Sequence, residues 1–113
     1  PGAYLVIGVQ SVLAGLPEGT LAVPVEADFV QNAGNGGDAI GLLHNDGPTV
    51  DSLSYGGLIA DWTEGASDAG VDPGDGALAR CPNGLDTDSN GEDFSLTETP
   101  TPGADNVCPA DAP

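Results

Sequence analysis

At 113 residues the chain is at most one domain, and 39% hydrophobic residues with 18 glycines and 10 prolines suit short strands and turns, not long helices. Eighteen acids face one base, Arg80, for a net charge of −17, which makes nucleic acid a poor partner and excludes an anionic membrane surface. No run of about 18 apolar residues is present, so membrane insertion is not expected, and divalent cations, a salty medium or a basic protein are the fitting counterparts.

Taken in order, the predicted elements are all short strands. Tyr4-Leu5-Val6-Ile7, bounded by Gly2 and Gly8, reads as a buried strand. Residues 13–20 contain Gly15, Pro17 and Gly19 and read as irregular. Residues 21–30 carry Val23, Val25, Phe29 and Val30, and Pro24 confines any strand there to an edge. Residues 32–37 (NAGNGG) are a turn cluster, and residues 38–43 (DAIGLL) a strand. His44-Asn45-Asp46-Gly47-Pro48 is a hairpin turn, because Asn, Asp and Gly tolerate positive φ. In TVDSLSY, residues 49–55, the packing positions are Val50, Leu53 and Tyr55, and the alternation slips by one, which marks a bulge. Residues 65–76 form an acidic loop with Asp68, Asp72 and Asp75. Residues 77–80 and 93–97 are the closing strands, residues 100–113 are tail, and no helix longer than a turn is expected.

Two cysteines, Cys81 and Cys108, bracket the closing strand. In an acidic, lysine-free chain rich in Gly and Pro they read as an extracellular disulfide. A four-ligand Cys/His zinc site is impossible with only one histidine. Closing that loop contributes roughly 3–4 kcal/mol on a chain-entropy view.

The best chemistry candidate is Asp86-Thr87-Asp88-Ser89-Asn90-Gly91. Asp, Asp and Asn at positions one, three and five, with Gly at six, open an EF-hand-type calcium loop. Glu92 and Asp93 add carboxylates, so the candidate ligands are Asp86, Asp88, Asn90, Glu92 and Asp93. The twelfth position is Thr97 rather than Glu, and no flanking helix is expected. The rival reading is an Asx-rich turn that bonds its own backbone.

Other residues point less far. Gly34-Asn35-Gly36-Gly37 reads as a turn, not a phosphate loop. His44, with Ser52 or Ser54 nearby in sequence, reads as solvated surface rather than a general base. Arg80 reads as a structural ion pair among carboxylates. Trp62 and Tyr55 either pack in the core or offer a carbohydrate-stacking face. No catalytic set is evident.

Residues 80–106, RCPNGLDTDSNGEDFSLTETPTPGADN, together with PGAYLVIG and GGDAIGLLHNDGPTVDSLSYGG, resemble the lamin-tail domain of secreted bacterial proteins. The matching stretches are residues 1–8, 36–57 and 77–106, and the last is the most specific. The resemblance implies an all-β, immunoglobulin-like β-sandwich over residues 1–108, with 109–113 as tail. The family's opening strands, with an acidic-aromatic motif and a Gly-Trp segment, have no counterpart here. The chain also has no Met and begins at Pro1. The expectation is therefore a processed piece, incomplete at its N-terminal edge, whose missing strands come from elsewhere.

The leading functional expectation is a non-catalytic structural or attachment module, extracellular, at the cell surface or in a periplasm, with calcium as a stabilising ion. A protein partner or self-association goes with it. Two alternatives stand beside it: a subunit of a surface fibre assembled by strand exchange, and an accessory segment of a secreted nuclease or phosphoesterase.

Overall fold

The computed structural model describes residues 2–26, 30, 36–72 and 74–109. Residues 32–35 of the expected 32–37 turn, the apolar Phe29 and residues 110–113 of the expected tail lie outside the described residues. The chain divides into two compact units, Pro1–Gln31 with Thr101–Asp105, and Asn32–Pro100 with Asn106–Pro113.

The first unit holds β1 (Leu5–Gly8), a one-turn helix α1 (Gln10–Leu13) and β2 (Leu21–Pro24). β1 and β2 pair in parallel, Leu5 opposite Leu21 through Gly8 opposite Pro24. Pro24 is the last residue of β2, a strand with one open edge, and Val25 N–H beyond it still donates to the Gly8 carbonyl at 3.0 Å, so the missing N–H of Pro24 falls on the open side. Tyr4 donates from its hydroxyl to Asp105 Oδ1, and Thr101 Oγ1 donates to the Asp105 carbonyl at 2.8 Å, so residues 101–105 are held beside the strands.

The second unit holds β3 (Asp38–Leu43), β4 (Thr49–Tyr55), β5 (Ala77–Arg80), the one-turn α2 (Asn90–Asp93) and β6 (Phe94–Thr97). β3 and β4 form an antiparallel hairpin in which Asp38 faces Tyr55 and Leu42 faces Asp51. Leu43 then faces Thr49, which leaves Val50 as the extra residue of a bulge where the alternation slips. The hairpin turn closes with His44 N–H donating to the Pro48 carbonyl at 2.8 Å, and Gly47 supplies the φ of 116° that the reversal requires. β5 and β6 form a second antiparallel pair. Each sheet therefore has two strands, and among the described residues the protein is β-rich with two helical turns.

The second unit's interior is small and polar. The buried hydrophobic residues are Tyr55, Ala69, Ala79 and Cys108, whereas Ser52, Ser54, Asn90, Asp93 and Thr97 are buried polar ones. Buried polar groups cost stability unless hydrogen-bonded, and here they bond one another and the backbone. Ser54 Oγ lies 2.6 Å from Thr63 Oγ1, which also accepts from Ile59 N–H at 2.8 Å. The Trp62 ring lies against Gly41, where any Cβ would run into it. Val50, expected to pack, is exposed, while Tyr55 is buried. Cys81 and Cys108 form a disulfide with Cα atoms 5.6 Å apart, within the range such a bond spans.

Candidate functional site

Arg80 leaves β5 into a ring of carboxylates. Nη2 alone reaches both Asp51 oxygens, each at 2.9 Å. Nη1 donates to the Leu85 carbonyl at 2.8 Å and lies 3.4 Å from both Asp86 Oδ1 and Asp93 Oδ2. The guanidinium also stacks 4.7 Å above the Phe94 ring, its cross-strand neighbour. The only base of the chain thus ties β4, β5 and the 85–93 loop together, as the structural reading of Arg80 expects.

One cation does not balance this ring. Asp51, Glu64 and Asp86 bring carboxylate oxygens within 4.8 Å of one another. Glu64 Oε1 is buried and has no hydrogen-bond partner. Burial raises the Glu64 pKa above its ordinary 4.5, and repulsion from Asp51, Asp86 and Asp88 adds to that against the pull of Arg80. A buried acceptor without a donor, facing two more carboxylates, is a place where a proton or a cation gains.

The five residues of the Asp86 loop separate into different roles. Asn90 is fully buried, and its Oδ1 accepts from Ser54 N–H at 3.1 Å and Glu64 N–H at 3.0 Å. Its Nδ2 donates to the Ser52 carbonyl at 3.1 Å. Asp93 is also fully buried and accepts from Thr87 N–H at 2.7 Å, Thr87 Oγ1 at 2.6 Å and Ser89 N–H at 3.4 Å. Burial by itself raises the Asp93 pKa, but these donors and Arg80 outweigh it and hold the group below its ordinary 3.8. Asp86 Oδ1 accepts from Asp88 N–H at 3.1 Å, an Asx turn, with Asp88 at a φ of 57°. Asp88 and Glu92 are exposed. The loop therefore does not point its five oxygens at one centre. The cluster that the fold assembles takes only Asp86 from it and adds Asp51 from β4 and Glu64 from the loop after Trp62.

Sequence spacing missed Asp51 and Glu64, which lie far along the chain from Asp86 and have no motif of their own. The remaining signal was indirect: an arginine alone among 18 acids must gather several of them. His44 is exposed in its turn. No family model, curated protein or solved structure matches this chain.

Proposed function

We propose that the chain is a non-catalytic, extracellular attachment module of immunoglobulin-like, lamin-tail type, whose sheets are completed by β-strands that another segment supplies. The observation that carries this reading is the uncovered apolar surface of its strands. Leu5, Ile7, Leu21, Val23, Ile40, Leu42, Val50 and Leu96 are between 41% and 62% exposed, all of them in two-stranded sheets. A two-stranded ribbon is marginal alone in water, and a third strand or a covering layer is what makes it stable. The disulfide supports an oxidising environment outside the cytosol. A fibre subunit joined by strand exchange draws on the same observation, whereas the accessory-segment reading has no observation of its own.

The experiment is 1-anilinonaphthalene-8-sulfonate binding by the 113-residue chain. Strong fluorescence that falls when a strand-donating segment is added supports the reading. A chain that leaves the dye dark contradicts it.

A second reading concerns calcium, which the partnerless Glu64 oxygen favours. Asp51, Glu64 and Asp86 would hold the ion, whose oxygen preference matches three carboxylates. It would supply the positive charge that Arg80 alone does not. A melting-temperature rise with calcium that exceeds the rise at matched ionic strength supports it. Equal rises reduce the effect to screening.

A further inference from the structure

β6 has one edge paired and one edge open. Cys81 N–H donates to the Asp93 carbonyl at 2.8 Å, so in this register Ala79/Ser95 and Ala77/Thr97 are the pairs that exchange hydrogen bonds. Leu96, opposite Leu78, then turns its N–H and C=O away from β5. No described residue bonds to them. Elsewhere in this unit, among the described residues, the outer edge of β4 is occupied, and that of β5 is occupied at Arg80 but not at Leu78, which lies across β5 from the groove-bearing edge. Along β4, Asn90 takes Ser54 N–H and the Ser52 carbonyl, and Ala69 N–H donates to the Ser54 carbonyl. Along β5, Asn106 Nδ2 donates to the Arg80 carbonyl at 3.0 Å. Among the described residues the outer edge of β3 is open too, and a groove lies beside β6.

Beside Leu96 lies an open groove of about 550 Å³, lined by Leu96, Thr97, Glu98, Val107, Cys108 and Asp75 among others. The disulfide fixes its far wall, since Cys108 is tied to the end of β5. Leu96 is 51% exposed. The groove is mainly apolar inside and carries two acids, Asp75 and Glu98, both exposed at its rim.

We propose that β6 accepts an extended, lysine- or arginine-bearing segment of another polypeptide along its open edge, with one apolar side chain seated in the groove against Leu96. This rests on the strand-completion reading above and names the edge and the partner's chemistry. Main-chain bonds to Leu96 supply the pairing, and alternate side chains supply selectivity. Charge decides the occupant. A second copy of a chain at −17 is repelled, while basic side chains flanking the apolar anchor meet Asp75 and Glu98.

The test uses the whole chain at physiological salt with three synthetic probes. One alternates valine and lysine, the second alternates valine and glutamate, and the third is the lysine peptide with alternate backbone nitrogens methylated. The lysine peptide should bind, the other two should not, and exchange of the Leu96 amide should slow by about tenfold or more. Leu96→Lys should weaken binding by about tenfold or more, the loss expected when a groove anchor is removed. The double variant Asp75→Asn/Glu98→Gln, which leaves the apolar wall intact, should weaken it too and guards against misfolding of Leu96→Lys. If the methylated and unmethylated lysine peptides bind alike, the contact is charge adhesion and the proposal falls. If Leu42→Lys on β3 abolishes binding and Leu96→Lys does not, strand completion stands but this edge is wrong. If no peptide binds, this proposal falls, and the dye experiment judges the parent reading separately.

Discussion

The carboxamide of Asn90 stands where a neighbouring strand would lie beside Ser54. Its Oδ1 accepts Ser54 N–H at 3.1 Å, and its Nδ2 donates to the Ser52 carbonyl, so one side chain satisfies two successive outward groups of β4. The same oxygen takes Glu64 N–H at 3.0 Å and so anchors the segment that carries the carboxylate cluster. Asn90→Ala should orphan all three backbone groups at a fully buried position. The expected loss is roughly 3 kcal/mol or more, read as a shift of the urea midpoint of the chain with a complementary strand bound. Asn90→Asp should fare little better, because it keeps the acceptor, loses the donor to Ser52 and adds charge beside Glu64.

Removing the disulfide by Cys81→Ser with Cys108→Ser frees a span of 27 residues. The expected destabilisation is about 3–4 kcal/mol, and differential scanning calorimetry reads it. The wall of the groove beside Leu96 should loosen, so amide exchange at Val107 should quicken more than at residues of β4.

Two carboxylates set opposite pH trends. Asp93 titrates below its ordinary 3.8 in the folded chain, so its contribution is present above that value and is lost as pH falls through the folded one. Glu64 titrates above its ordinary 4.5, so the folded chain holds a proton there that the unfolded chain has released, and stability declines as pH rises across that window. The joint contribution of these two groups should therefore be largest in mild acid, between the windows in which Asp93 and Glu64 titrate. Urea unfolding across the acid range checks this, and Asp93→Asn should flatten the acid limb.

Glu64→Gln should stabilise the chain at neutral pH by roughly 0.5 kcal/mol, a solvent-screened value, since it removes repulsion from Asp51 and Asp86. The same substitution should abolish any calcium-specific rise in melting temperature. A calcium response that survives it would place the ion elsewhere.

The strands were legible where chemistry is local. Asp38–Leu43, Thr49–Tyr55 and Ala77–Arg80 occupy the spans that alternation and turn residues mark, and the His44–Pro48 turn falls between the first two. The sequence pattern places Asp93 in the closing strand, but it closes α2, because Asn90 to Asp93 make one helical turn whose last residue points inward to Thr87 and Ser89. No sequence signal marks Gln10–Leu13, since four residues carry too little periodicity. The Asp86 spacing was visible, but not that burial reserves Asn90 and Asp93 for the backbone. Such assignments depend on which strand edge lies opposite, and that is a tertiary fact.

The most direct measurement of the central claim is equilibrium urea unfolding of the 113-residue chain, alone and dilute, with hydrogen exchange on the same sample. The expected result is a shallow, weakly cooperative transition, fast exchange at Leu96 and along β3, and a steeper transition once a complementary strand is added. A single steep transition, with those amides protected in the chain by itself, would contradict it.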